Sequence, residues 1–196
     1  MSPFQVFRPI IITRMLSVRP MQADDVAKIA EYFCENSSEH YERLGIDRSK
    51  LPPASEYRRS LLDLVDVAPE RATTYYSIWL LNGDPIGHSS LKDIVFEETG
   101  SQHLHIWKTL ERGKGYGATL FCLSTLEFYR RFRLKKIVCE PRAENRLPNQ
   151  MLRRIGFSLL GSRVAASSDI STVGELNTYA IDLETAERFL ETTGGM

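Results

Sequence analysis

The run Glu111-Arg112-Gly113-Lys114-Gly115-Tyr116-Gly117-Ala118 holds the residues whose spacing says most about chemistry. Glycines let a backbone approach an anion closely, and the free N–H groups at a helix start point at it. Arg112 and Lys114 add positive charge. Together they describe a pyrophosphate cradle. No Gly-Lys-Ser/Thr closes the run, so it is not the P-loop of nucleoside triphosphatases. Gly113, Gly115 and Ala118 do satisfy Gly-x-Gly-x-x-Ala, the dinucleotide fingerprint. Glu140 stands about where a ribose-binding acid is wanted. An NAD(P)-dependent oxidoreductase is therefore an alternative reading. The run's place past mid-chain, behind a meander, opposes it, as does the short remainder of the chain. His103 and His105 alternate just before the loop, so a strand there points both to one face. Imidazole titrates near neutral pH and can relay a proton. No third ligand lies nearby in sequence, so no metal is expected.

These residues need a scaffold. Leu16 to Pro20 is β-like, and Gln22 to Phe33 carries Val26, Ile29, Ala30 and Phe33 at helical spacing. Residues 37–55 form a long polar connection, and Leu61, Leu62, Leu64 and Val65 mark a second helix over 55–67. Strands over 73–81 and 85–96 flank the hairpin signal Asn82-Gly83-Asp84, and a third covers 102–107. The glycine run then opens a helix reaching Phe132. A strand over 134–140, a helix over 145–155 ended by Gly156, and strands near 157–160 and 176–181 follow. The pattern predicts one α/β domain with a mixed, largely antiparallel central sheet and helices on both faces. Residues 1–14 read as an N-terminal extension, 15–182 as the domain, and 183–196 as a C-terminal helix or loose tail.

Composition narrows the function classes. The chain has 196 residues, 42% apolar and 26% charged, with 25 basic and 25 acidic side chains. No global field draws it to nucleic acid or a membrane. The basic cluster Arg130, Arg131, Arg133, Lys135 and Lys136 reads as a helix end complementing the dipole, followed by a solvated loop. Three separated cysteines suit a reducing, cytoplasmic setting, and the first residues do not form a signal peptide.

Arg112-Gly-Lys-Gly-Tyr-Gly117 resembles the Arg/Gln-x-x-Gly-x-Gly/Ala signature of the GNAT superfamily of N-acetyltransferases. The segment from Glu144 and Asn145 through Asn149 to Gly156-Phe157 resembles its second motif. The form of that motif is similar to the RimJ/RimL-like branch, which acetylates ribosomal-protein N-termini. The resemblance implies acetyl-CoA held between two splayed strands, with the Ile106–Trp107–Lys108 backbone beside the pantetheine. It implies cofactor contacts from Arg112, Gly113, Lys114, Gly115, Tyr116, Gly117 and Ala118, and from Asn145, Asn149, Leu152 and Arg153. Glu39, His40, Tyr41 and Glu42 would shape the acceptor pocket, with acidic side chains suited to a cationic amine.

The implied reaction is attack of an amine on the thioester carbonyl in a ternary complex. The acceptor would be a protein N-terminus or a small amine. A lysine-type amine titrates near 10.4 and needs a base, whereas an α-amine near 8 barely does. Candidate catalytic residues are His103, His105, Glu140 and Asn145, with Ser101 at the place where some relatives carry a glutamate base. Leu152 replaces the tyrosine that often serves as general acid, and Pro148 replaces a small residue. These departures keep a non-catalytic CoA-binding module as a second alternative. A homodimer is a family-level expectation.

Overall fold

The computed structural model describes residues 15–194; the expected extension over 1–14 and the end of the tail lie outside these residues. In chain order the elements are β1 (Leu16–Pro20), α1 (Val26–Cys34), α2 (Ser38–Leu44), α3 (Ala54–Leu62), β2 (Tyr75–Leu81), β3 (Asp84–Val95) and β4 (Thr99–Ile106). Then follow α4 (Tyr116–Phe132), β5 (Lys136–Cys139), α5 (Arg146–Ile155), β6 (Ser158–Ala165), β7 (Gly174–Ala180) and α6 (Leu183–Thr193). The strands form one sheet in the order β1-β2-β3-β4-β5-β7-β6. Only β4 and β5 pair in parallel. The mixed, largely antiparallel sheet expected from the sequence is therefore observed.

Alternation along β2 shows how the two faces are filled. Tyr75 and Trp79 join the core beneath α4, while Tyr76 and Ile78 join the core beneath α1. Trp79 is fully buried, and its indole donates to Ser124 Oγ of α4 at 2.9 Å. Tyr75 and Ser77 both donate to Glu127 of the same helix. These bonds fix the rotation of α4 and thus the aim of its N-terminus.

Local signals explain the boundaries. Ser37 caps α2 by accepting from the His40 amide, and left-handed Gly45 ends it, so the polar connection contains a true helix. α3 stops at Leu62, short of the expected end. The last residues are not all tail: Asp182 caps α6, whose Ala186 and Leu190 are buried in the core beneath α4. β5 is shorter than expected: the amides of Lys135 and Lys136 both donate to Glu98 O where the strand begins. The basic cluster is partnered: Arg130 meets Glu187, Arg133 meets Glu97, Lys135 meets Glu98, and Arg131 lies over Tyr75.

Gly87 lets β3 lie close to β4, since a Cβ there would stand 2.4 Å from His105 O. Backbone cannot yield as a flexible side chain can. Gly87→Ala should cost about 1–3 kcal/mol, the range for overpacking. At about 2–4 °C per kcal/mol for a chain of this size, calorimetry should find Tm lowered by several degrees; an unchanged Tm would count against this close approach.

Candidate active site

β4 and β5 pair over only three registers, Thr99↔Lys136, Gly100↔Ile137 and Ser101↔Val138. Beyond Ser101, β4 continues to Ile106 with a neighbour on the β3 side alone. The continuation of β5 turns to the opposite neighbour. Pro141 O accepts from the Asn177 amide at 2.9 Å, Ala143 N donates to Glu175 O at 2.8 Å, and Arg142 bridges to Leu176. The strands splay, and a cleft of about 600 Å³ opens between them.

The glycine run stands at one end of the cleft. Gly113 and Gly115 have φ of 74° and 88°, the left-handed region that glycine adopts without strain. Gly113, Gly115, Gly117 and Ala118 line the cleft. α4 begins at Tyr116, so its first-turn amides lack partners within the helix. These groups fit a diphosphate. Arg112 departs from expectation: its amide donates to Thr109 O at 3.1 Å, and its guanidinium donates to Ile106 O at 2.8 and 3.1 Å. It braces the end of β4, and the cradle amides begin at Gly113. Lys114 is ion-paired with Glu111 at 3.0 Å.

At the other end is a polar floor. Cross-strand registers pair His88 with His105, Ser90 with His103 and Lys92 with Ser101. Alternation puts all six on the sheet face that carries α1. His40 of α2 meets Tyr32 of α1 edge-on, and the Tyr32 ring reaches both His88 and His105. All four histidines of the chain thus gather around one chamber. Trp107 Nε1 donates to His88 Nδ1 at 2.8 Å, which makes His88 the neutral Nε2–H tautomer. Burial, then Lys92, pushes His88 and His103 down to about 3; burial, then Arg43, pushes His40 to about 4. Burial also holds His105 well below its ordinary value.

Glu140 borders the cleft across the splay but is not free. Arg163 binds both carboxylate oxygens, Thr178 donates to Oε1 at 2.7 Å, and the Arg163 bond chiefly lowers its pKa. Cys139 also lines the cleft, and burial raises its thiol to about 12.

The structure places several of the expected site residues away from the cleft. Asn149 is buried and its amide is saturated: Nδ2 donates to Arg142 O and Asn145 O, and Oδ1 accepts from Asn177 and Tyr179. Leu152 is fully buried in the core, and Arg153 turns to the Tyr179 hydroxyl. The cleft face of α5 is instead Leu147, Pro148, Gln150, Met151 and Arg154, with Asn145 at the helix start. Trp107, Lys108 and the Tyr116 side chain do not line the cleft. Glu39 and Glu42 are exposed and outside it, and His40 and Tyr41 are buried beneath α2. From α2 the cleft receives Arg43 and Leu44. Sequence reasoning missed Ser90, Lys92, Arg43 and the serines of the β6–β7 loop. The β3–β4 register, set across the turn at Glu97-Glu98, is the signal that would have placed Ser90 and Lys92 beside His103 and His105.

The sequence matches the family model "Acetyltransferase (GNAT) domain" over residues 15–158. The chain belongs to the GNAT acetyltransferase family. Solved structures agree on the fold. RimL, a ribosomal alpha-N-protein acetyltransferase solved with coenzyme A, superposes with a TM-score of 0.70 at 16% identity, covering 90% of this chain and 98% of that one. The aminoglycoside acetyltransferase AAC(6′)-Ib with coenzyme A gives 0.66 at 18% identity, covering 88% and 98%. Mutant forms of the spermidine/spermine N-acetyltransferase SpeG from Vibrio cholerae give 0.67 at 13% identity, covering 89% and 98%. No curated protein matches the sequence significantly. A sheet with one parallel pair is not a doubly wound dinucleotide domain, and Glu140 is engaged by Arg163, so the oxidoreductase reading loses both supports. The GNAT chain is an N-acetyltransferase.

The histidines give a pH signature. Unfolded imidazole titrates near 6.5, and the folded values lie lower. Below 6.5 the unfolded chain therefore binds more protons, and stability falls with pH toward about 4. Imidazole NMR should show no histidine titrating between about pH 5 and 8, and denaturant melts should weaken below pH 6.5. His88→Gln should flatten that slope. A midpoint near 6.5 for His88 or His103 would contradict the buried neutral floor.

Proposed function

We propose that this GNAT chain moves an acetyl group from acetyl-CoA to a primary amine by direct attack in a ternary complex. One observation carries the reading. A cleft joins the amide cradle of Gly113–Ala118 to the polar floor of Ser90, Lys92, His103 and His105, along the unpaired edge of β4. When bound, the cosubstrate supplies the activated acyl carbonyl and a leaving thiolate, which is tolerable at neutral pH because thiols titrate near 8.5.

The chain's own residues then have distinct tasks. Amides of Gly113 and of the first turn of α4 hold the diphosphate. The free edge of β4 from Gln102 to Ile106 offers backbone groups to an extended amide-containing arm, as sheet edges do to a peptide. On the floor, burial and the Lys92 ammonium disfavour a second positive charge. An acceptor ammonium placed there loses its proton more readily than in water, as desolvated amines beside another cation do. The site thus works without a strong base. His103 is the relay: Ser101 Oγ lies 3.4 Å from its Nε2, and the Glu140 charge favours a proton on its ring while Lys92 opposes it. Glu140, held by Arg163 and Thr178, is a positioning residue. With Leu152 buried in the core, water is left to protonate the thiolate. Three separated cysteines, all free in the structure, suit a reducing, cytoplasmic site of action; among the described residues no helix is long and apolar enough to cross a membrane.

CoA and acetyl-CoA, but not NAD or NADP, should raise Tm. At a hundred times Kd the gain is about 2.7 kcal/mol, roughly 5–10 °C for this size. A shift with the dinucleotides alone would sink the reading. His103→Ala should lower kcat by about 10²-fold with KM for acetyl-CoA unchanged. Mass spectrometry after incubation with acetyl-CoA alone should find no acetyl adduct on Cys139; an adduct chemically competent to reach the amine would replace direct attack by a two-step route.

A further inference from the structure

The charge of the acceptor chamber selects among amines. Six charged side chains line the whole cleft: Arg43, Lys92, Arg112, Arg142, Arg154 and Glu140. Three of these are committed elsewhere. Arg112 binds Ile106 O, Arg142 binds Glu144 and Thr172, and Glu140 is neutralised by Arg163. Arg154 enters the cleft from α5, the helix beside the splayed end of β5. Lys92 and Arg43 remain at the acceptor end.

Lys92 is part-buried on the floor, opposite Ser101, and among the described residues its ammonium has no hydrogen-bond or ion-pair partner. The two carboxylates that act on it, Asp93 and Asp169, are both exposed and neither lines the cleft. Arg43 reaches over from α2, where its Nη2 lies 3.0 Å from His40 Nδ1. The four histidines between them are held neutral and offer no charge of either sign. A half-buried ammonium that lines a cleft with no carboxylate bonded to it is a ready partner for an anion. The hydroxyls of Ser90 and Ser101 flank it in register.

We propose that the acceptor is an amine whose other end carries a carboxylate or phosphate, bound by Lys92 with Arg43 closing over it. This rests on the acetyltransferase reading above and gives it a substrate class. It sets polycations such as polyamines and aminoglycosides apart as poor acceptors, since they would bring further positive charge against Lys92 and Arg43, and the carboxylate that lines the cleft, Glu140, is already held by Arg163. The anion also has a use in the reaction. Seated on Lys92, it anchors one end of the molecule, while the amine, farther along, stays beside the neutral His103.

Product binding tests this without knowing the rest of the acceptor. The full chain is first saturated with CoA, read by its own melting shift; no CoA shift would overturn the acetyltransferase reading itself. N-acetyl amino acids, their amides, N-acetylglucosamine 6-phosphate, N-acetylglucosamine and N-acetylspermidine are then added separately. At least one anionic product should raise Tm where its uncharged twin does not, and the amino-acid and sugar arms tell carboxylate from phosphate. Lys92→Gln should weaken that product at least tenfold, and Lys92→Arg should keep most of the preference. Arg43→Gln, on an exposed helix, gives the same readout if Lys92→Gln folds poorly. Equal or larger shifts with the uncharged or cationic products would overturn the proposal. So would a CoA shift with no shift from any anionic product, or an anion preference untouched in both variants.

Discussion

Everything at the site depends on how early β4 and β5 part company. Three paired registers are enough to hold the halves of the sheet together, and the divergence that follows makes the cleft. The divergence is enforced by competition for the backbone of residues 141–143. Pro141 has no N–H to give a neighbour, and its carbonyl is taken by Asn177. The saturated Asn149 amide ties the carbonyls of Arg142 and Asn145 to Asn177 and Tyr179 of β7. A buried amide with every valence used is a stiff joint, because freeing either partner would leave an unpaired polar group. β5 therefore has better bonds to make with β7 than with β4. An edge of β4 that a sheet would ordinarily consume is left free.

The floor shows a second kind of order. Sheet faces under a helix are normally apolar, yet here histidine, serine and lysine occupy three successive cross-strand pairs. The opposite face of the same strands carries its own polar network: Gln102 reaches Ser89 Oγ, Phe121 O and the Thr125 hydroxyl. That network is closed on itself and anchors α4. The floor is not closed, since His105, which lines the cleft, has its Nδ1 buried without a partner. The contrast separates polar groups that serve the fold from polar groups that wait for a ligand.

Much of this was legible from the chain alone, where the physics is local. Alternation and the Asn82-Gly83 turn gave the meander, and the glycine run gave the cradle, because both rest on backbone conformations that few residues adopt. Residue roles were less legible where they depend on rotation about an element. On α5 the resemblance pointed to Asn149, Leu152 and Arg153; the helix turns Met151 and Arg154 to the cleft instead. On α2 the rotation placed Arg43, not Glu39 or Glu42, inside, and so reversed the sign of charge expected there. Lys92 was invisible for a different reason. Its meaning lies in the register between two strands, and no single strand's pattern contains that.

The chamber also has a roof, made from parts far apart in the chain. Asp47 N donates to Ile170 O at 2.8 Å, Thr172 N donates to Gly45 O at 2.8 Å, and Ile46 bridges to Ser171, so the loop after α2 is stitched to the β6–β7 loop. The Thr172 hydroxyl reaches Gly45 O across 127 positions of sequence. The cradle, by contrast, follows its own strand directly and needs no such distant partner. Closing a loop of that length costs entropy before any contact repays it. In a growing chain β4 and the glycine run emerge together, while the splay beside them and the roof of the chamber both wait for the last hairpin. The site is therefore completed late, by the same hairpin at both of its ends.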